Sequence, residues 1–454
     1  MQDRDWRQSL ILAATSVSYV LVILDTSIVN VALARIAAGL DADVAALQWI
    51  VNAYTVVFAS LLLTGGTLGD RYGARRVYLA GLVLFTLASA LCGAAPSLAV
   101  LIGARVLQGI GAALLVPCSL TLLNHAFRDP GARAKAIGVW TGCGGAALAT
   151  GPLAGGVLIG LFGWRAIFLV NLPIGAFGLW LTARIPAERA SGAEVRPLDL
   201  PGQASAILAL AALVGGAIEG PSFGWTSAPI LVCWGVGLAA AALFLAIEWR
   251  RRAPMLPLSF FANGTVSASA LVALVTTLGL FGLLFVLSLY FQQLRGYSPL
   301  ETGLAFLPLT AVVTATNLLA GRMAKTHGPR LPILLGLLAL TAGCLGLLPI
   351  GTATSYAALV APLLALGLAG GFVTPAVATA LIGAVERRRS GIASGVLNTA
   401  RQLGVALGVA GFGALIAGEG RMLSGLHAAL ALAAGAAALA AVAAALTIAA
   451  PSGR

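Results

Sequence analysis

Apolar residues occur along this chain in long stretches, each near the 20 residues that a helix needs to cross a bilayer, and the short segments between them hold nearly all of the charge. Fourteen such stretches can be counted. The first seven run approximately over Leu10–Leu33, Leu47–Leu68, Val77–Ala94, Leu98–Leu123, Ala136–Gly160, Ala166–Thr182 and Gly202–Ile218. The second seven cover Ala228–Ile247, Val266–Phe291, Gly303–Ala320, Leu331–Ile350, Ala357–Leu381, Gly391–Ala417 and Leu426–Ala450. The pattern predicts an all-α integral membrane protein. The first stretch carries Asp25 and Asn30 and lacks a small-residue cleavage site, so it is expected to stay as the first helix rather than act as a cleaved leader.

Composition agrees with this reading. Of 454 residues, 59% are hydrophobic and 9% charged, with mean hydropathy +0.98, outside the range of a soluble core with its solvated surface. The net charge of +12 changes the picture through its distribution. With the N-terminus inside, four of the 27 Lys and Arg residues fall outside (Arg35, Arg165, Arg295, Arg421), two lie within helices (Arg105, Arg401) and 21 face the cytoplasm. That asymmetry follows the positive-inside rule and predicts an even number of spans with both termini cytoplasmic. Basic residues dispersed in small loop clusters argue against a nucleic-acid partner. Cys92, Cys118, Cys143, Cys233 and Cys344 all lie inside stretches, form no C-x-x-C pair and are expected to be small core residues.

The chain also resembles itself at an offset near 255 residues. The segment Gly66–Arg76 (GTLGDRYGARR) answers Gly321–Arg330 (GRMAKTHGPR), Gly109 and Pro117 answer Gly367 and Pro375, and Gly138 and Gly151 answer Gly395 and Gly408. Six helices in residues 1–190 thus correspond to six in residues 256–454. The pair within 191–255, bounded by charged loops at Glu188–Arg196 and Glu248–Arg252, has no counterpart. Two related halves are the usual frame for alternating access around a site near the midplane.

Charges inside the stretches need a reason. Asp25 is read as the only acid well inside one, and an ionised carboxylate there costs about 2.5–3.5 kcal/mol. It could be a polar packing group tied to a neighbour, or a proton carrier, because desolvation disfavours the charged form of a carboxyl group and a movable cation favours it. Arg105 is the natural partner. From the helical rise of 1.5 Å per residue, Asp25 sits roughly 22 Å and Arg105 roughly 20 Å above the inner face, so the two are level. The pair could be permanent or titrating. Gln108, at i+3 from Arg105, is placed to hold the guanidinium or line a cavity, and Gly109 and Gly111 allow close helix approach. Arg401, beside Asn398 and Gln402, is a third buried charge whose partner the sequence does not reveal; a cavity-facing or half-to-half contact is expected, since a guanidinium facing lipid is expensive.

Several segments resemble one family. Leu24–Leu33 (LDTSIVNVAL), the Gly66–Arg76 loop, Arg105–Ala113 (RVLQGIGAA) and Gly151–Gly156 (GPLAGG) resemble, in order, signatures of the major facilitator superfamily and, within it, of the fourteen-helix drug:proton antiporters of the EmrB/QacA type. Gln48–Tyr54 (QWIVNAY), Gly163–Gly175 (GWRAIFLVNLPIG) and Ser394–Gly404 (SGVLNTARQLG) extend the match from the first helix to the thirteenth. Departures are Ala34, where the family often has Pro, and Ala74, where it often has a basic residue. The resemblance implies a major facilitator fold of two six-helix bundles plus two central helices, with helices one and four side by side so that Asp25 and Arg105 can meet. It further implies that Gly66, Asp70, Arg71, Gly73, Arg75 and Arg76 form a gating loop, with Asp70 paired to basic or helix-end groups in the outward-open state and released as the halves rock. Gly151, Pro152, Gly155 and Gly156 would be the antiporter motif, a packing face with a hinge at Pro152. A substrate cavity would draw on Asn30, Gln48, Tyr54, Gln108, Trp140, Asn171, Gln292, Asn398, Arg401 and Gln402; Trp49, Trp164, Tyr290 and Tyr297, near span ends, suit an interfacial belt.

An ATP-driven pump would need a G-x-x-x-x-G-K-[ST] loop, and neither of the two lysines, Lys135 and Lys325, sits in one. A membrane enzyme would need clustered acids or a His–acid pair in the spans, whereas His125, His327 and His427 are expected at loops. The expectation is therefore a secondary transporter with no cofactor beyond a proton gradient, a monomer in the cell membrane that exports hydrophobic or amphipathic small molecules. The rival is an importer or proton symporter on the same fold, against which the GPLAGG segment speaks. Few acids in the spans also make dicationic substrates a poor fit.

Overall fold

The computed structural model describes residues 2–127, 129–185, 199–251, 254–385 and 390–448, and among these no strand occurs. A first group of helices comprises α1 (Gln2–Leu40), α2 (Val44–Tyr72), α3 (Ala74–Ala94), α4 (Leu98–Ala126), α5 (Pro130–Phe162), the short α6 (Ala166–Leu169) and α7 (Asn171–Ala183). Next come α8 (Leu200–Phe223) and α9 (Ala228–Arg250). The last group is α10 (Gly264–Leu289), α11 (Pro299–Ala305), α12 (Leu307–His327), α13 (Arg330–Leu347), α14 (Tyr356–Gly383), α15 (Ser390–Ile416) and α16 (Met422–Thr447). Helices are the structure this composition permits in lipid, because every backbone N–H and C=O must be bonded within its own segment. Their free ends are closed by side chains: Asp43, Ser97, Asp129, Asp199, Asn263 and Ser298 each accept from the backbone of the following first turn.

Among the described residues thirteen helices are long and apolar enough to cross a membrane, and fourteen if the bent pair α11–α12 is one span. The expected stretch Gly303–Ala320 therefore begins earlier, at the capping box of Ser298 and Glu301, and bends by 46°. Its physical cause is Pro308, which has no N–H to continue the ladder at the start of α12. Pro173 stands in the same relation to the break between α6 and α7. The charged loop expected at Glu188–Arg196, with the boundary near 190, lies outside the described residues.

The internal repeat has a structural counterpart. A Cβ on Gly109 would meet the Tyr54 carbonyl oxygen at 2.7 Å and Val57 Cβ at 3.1 Å; one on Gly367 would meet the Leu309 carbonyl and, at 3.1 Å, Val312 Cβ. Tyr54 and Leu309, like Val57 and Val312, are matching positions of the two copies. The turns after α2 and α12 also agree, with Gly73 at φ +93° and Gly328 at φ +79°, a conformation that glycine adopts without strain.

Within the first group α4 packs on α2 and α3, and α1 on α5; within the last, α10 packs on α15 and α14 on α12 and α13. The groups meet along α2–α15, α5–α11–α12 and α1–α10. Helix α8 lies against both α2 and α15, while α9 packs chiefly on α8 and turns Leu231, Val232, Leu238 and Leu243 outward. The attachment of α8 to α2 is polar: Gln203 Nε2 donates to the Ser60 carbonyl (2.7 Å), Thr64 donates to Gln203 Oε1, and Trp49 Nε1 donates to Glu219 Oε1 (2.8 Å). Gln203→Ala removes two of these bonds and is expected to lower stability by about 1 kcal/mol, read from thermal unfolding in detergent. Helix α8 also runs past the expected Ile218 and takes in Glu219, four residues before its end.

Candidate functional site

Asp25 lies in a polar layer between the apolar core cluster holding Leu21, Val22 and Phe58 and the one holding Ile28, Val29 and Ile50. Its exposure is 0% and that of Arg105 1%, so in this conformation the pair touches no solvent. Arg105 Nη1 forms an ion pair with Asp25 Oδ2, and Gln108 Nε2 (3.2 Å) and Asn171 Nδ2 (3.0 Å) donate to Oδ1. The rest of the guanidinium is also held: Nε donates to the Ile50 carbonyl at 3.0 Å, Nη1 to Gln108 Oε1 at 2.8 Å, and the Tyr54 ring lies 4.4 Å below. Ser89 Oγ accepts from Gln108 (2.8 Å), and Cys92 Sγ donates to Gln108 Oε1 (3.2 Å). Side chains of α1, α3, α4 and α7, with α2's carbonyl and ring, thus close on one carboxylate. Three donors thus converge on the two carboxylate oxygens. A buried pair so satisfied is costly to break from one side, about 3–5 kcal/mol.

The pairing and the hold of Gln108 on Arg105 follow the expectation from depth and from i+3 spacing. Ser89 and Cys92 have no place in the sequence-based expectation for this site; of the two, only the serine in an apolar stretch is a sequence signal.

The glycines of Gly151–Gly156 place α5 at a crossing. A Cβ on Gly151 would run into Ser27, with Ser27 Cβ at 2.9 Å, and one on Gly155 would lie 2.8 Å from Ile28 Cγ1, so α5 rests directly on the turn of α1 that follows Asp25. Gly156 faces the other group, where a Cβ would lie 2.7 Å from Leu300 Cα and from the Pro299 carbonyl oxygen. Gly303, in turn, abuts the Pro152 carbonyl. One short segment therefore touches both the charged pair's helix and the facing group.

Several expected cavity residues instead bond across the seam between the groups. Gln48 Nε2 donates to the carbonyls of Val409 (2.9 Å) and Ala410 (2.7 Å), and Gln292 Nε2 donates to Val31 O (3.0 Å). Ser288 Oγ donates to the carbonyl of Asn30 at 2.6 Å, while Asn30 Nδ2 turns back to Thr26 O at 3.2 Å. These positions correct the cavity assignment of Gln48, Asn30 and Gln292. Tyr54 and Asn171 are likewise taken up by the charged ring. Tyr290 and Trp164 are not belt residues: they are 0% and 7% exposed, Tyr290 Oη donates to Gly351 O (2.7 Å) in the loop after α13, and Trp164 packs against Gly39 at the end of α1.

Trp140 stacks on Tyr19 with ring centroids 3.7 Å apart. Arg401 Nη2 donates to the Thr374 carbonyl (3.0 Å), Asn398 Nδ2 bonds its own helix at Ser394 O (3.0 Å), and Gln402 Oε1 is buried without a partner. In the expected gating loop, Arg75 Nη2 reaches the Thr182 (3.4 Å) and Ala183 (3.3 Å) carbonyls at the end of α7, and Gly66 faces Pro117. Asp70, Arg71 and Arg76 are exposed, and among the described residues Asp70 forms no ion pair. The histidines lie in terminal turns rather than loops, with His427 Nε2 2.7 Å from Ile350 O.

A sequence profile of the Major Facilitator Superfamily matches residues 15–409. The chain is 37% identical over 413 residues to a "Methylenomycin A resistance protein" of Streptomyces coelicolor, covering 91% of this chain and 86% of that one. It is 39% identical to "Multidrug resistance protein Stp" of Mycobacterium tuberculosis (90% and 76% covered) and 38% identical to "Puromycin resistance protein pur8" of Streptomyces alboniger (90% and 80%). Among solved structures, a bacterial homolog of the human lysosomal transporter Spinster superposes with a TM-score of 0.66 over 97% of both chains at 18% identity, a likeness of fold. The bundle of apolar helices, the buried pair and these relatives lead to one conclusion: the chain belongs to the major facilitator superfamily, a multi-pass membrane transporter rather than an enzyme.

Proposed function

We propose that this protein is a proton-coupled antiporter that exports hydrophobic or amphipathic small molecules, antibiotics among them, across the cell membrane by alternating access. The observation that carries the proposal is the crossing at Gly151–Gly156, where α5 rests on the Asp25 segment of α1 with one face and on α11 with another. A charge state at Asp25 and the closure of the seam are thereby mechanically joined. The resistance roles in the names of the relatives supply the direction and the class of cargo.

In this reading residues 1–190 and 256–454 are two bundles that rock about the seam, 191–255 is an inserted pair, there are fourteen spans and both termini are cytoplasmic. The basic loops then lie inside. The seam bonds of Asn30, Val31 and Gln48 lie at the opposite end and hold the transporter shut to the outside, with Asp70 released. Protonation of Asp25 is favoured when Arg105 and the two amides withdraw, because all three now donate to its carboxylate oxygens. That withdrawal belongs to the outward-open state, in which a proton enters, neutralises the carboxylate and frees Arg105; return to the present state re-forms the pair and expels the proton inward.

Inverted membrane vesicles test the proposal. An inside-acid gradient is expected to drive accumulation of an uncharged fluorescent amphipathic probe such as 1-pyrenebutyrate methyl ester, and a protonophore to abolish it. Loss of preloaded drug under the same gradient would mean symport, and indifference to the gradient would remove proton coupling.

A further inference from the structure

Arg401 of α15 is a charged group in the helical region that Asp25 does not neutralise. Its guanidinium reaches the Thr374 carbonyl of α14, and among the described residues no carboxylate forms an ion pair with it. Thr374 lies one turn beyond Gly371, which packs on Thr316 of α12, and the adjoining Asn317 reaches Gly145 of α5, next to the Gly144 that lies against Tyr19 of α1. Tyr19 is stacked on Trp140 of α5, with the rings 19° from parallel. Gly144 makes the stack possible, for a side chain there would run into the Tyr19 ring. Trp140 is 6% exposed, yet its indole N–H has no hydrogen-bond partner. On α12 the Asn317 amide points toward α5, its nitrogen 3.6 Å from where a Cβ on Gly145 would lie, and its Oδ1 is also without a partner.

Buried polar groups in native proteins are almost always bonded, and an uncompensated guanidinium in a membrane interior is costly. Here a cation and an unused indole donor stand at one seam beside an aromatic platform, with no acid. Resting on the export function proposed above, we propose that Arg401, Tyr19 and Trp140 form the anion-binding part of the substrate site, and that the preferred cargo is an amphipathic monoanion whose carboxylate or comparable oxyanion pairs with Arg401 while its apolar body lies on the Tyr19–Trp140 stack. The planar guanidinium fork matches a carboxylate in two hydrogen bonds, and the indole N–H supplies a further donor. Cationic cargo meets repulsion here, so charge selects before shape does.

The test measures binding to the purified full chain in detergent, with 1-pyrenebutyrate and its uncharged methyl ester as the probes. The wild type is expected to bind the carboxylate tighter than the ester by roughly tenfold or more, the range for hydrogen bonds to charged groups. Arg401→Gln is expected to erase that preference with the ester's affinity unchanged, and Arg401→Lys to keep part of it. Trp140→Phe, which retains an aromatic ring and removes only the N–H, is expected to weaken the carboxylate a few-fold and leave the ester alone, which keeps the proposal exposed should Arg401→Gln fold poorly. Equal binding of both probes to the wild type, or a preference that survives Arg401→Gln, overturns it. Gradient-driven export of the ester in vesicles without a charge preference would leave the efflux reading standing and remove the anion site; an intact preference without export would do the reverse.

Discussion

Asp25→Asn is expected to reduce proton-driven accumulation in inverted vesicles to the level seen with a protonophore, while exchange of labelled for unlabelled drug at equal pH on both sides continues. The substitution keeps the size of the side chain and an acceptor for Arg105, and removes only the group that can gain and lose a proton. Its cost is electrostatic. Arg105 is 1% exposed and would lose its only counter-charge, a change worth about 3–5 kcal/mol when one partner of a buried pair is deleted. The double variant Asp25→Asn with Arg105→Gln removes both charges together, should recover most of that stability, and is expected to be equally uncoupled. Gradient-driven accumulation at the wild-type rate in either protein would exclude Asp25 as the proton site.

How much of this site could be read beforehand depends on which physical rule is at work. Asp25 and Arg105 were legible because isolated charges in apolar helices need partners and helix geometry puts the two level, while the side-by-side packing of their helices came from the family resemblance. Gln108 followed from its spacing on the same helix. Asn171 and Ser89 could be named as polar, but nothing in the chain says which face of α3 or α7 turns toward α1, so their place in the ring emerges only from packing. The same ambiguity explains Gln48 and Gln292: a polar side chain that faces a cavity and one that bonds a carbonyl on a neighbouring helix look identical in sequence. The all-helical character and some thirteen or fourteen candidate spans were legible from length and hydropathy, whereas the bend between α11 and α12 was not, even though Pro308 marks it. Glu219 was set outside its helix because apolarity fades before the helix ends, and helix boundaries are the least readable part of a pattern.

Gly156→Val is expected to trap the transporter with the seam open and to abolish export. A Cβ alone at this position would lie 2.7 Å from Leu300 Cα and from the Pro299 carbonyl oxygen, and both are backbone atoms that no rotamer change can move aside. The helices must separate, and overpacking of this kind costs about 1–3 kcal/mol. In the rocking motion proposed above this contact opens, so the cost is expected to fall on the closed seam alone and to shift the equilibrium between the states by roughly 5- to 150-fold. A reporter is available at Ser288, which is buried and donates to the Asn30 carbonyl within the seam. With the five native cysteines replaced, a Ser288→Cys protein should resist a membrane-impermeant maleimide added from outside the cell, and the same protein carrying Gly156→Val should be labelled rapidly. Gly155→Val serves as the contrast, because its Cβ meets Ile28 of α1 rather than α11; it is expected to disturb the Asp25 helix and lower stability without exposing Ser288→Cys. Equal labelling of the two valine variants would mean that Gly156 is a packing position like its neighbour and that the segment does not transmit the state of the seam.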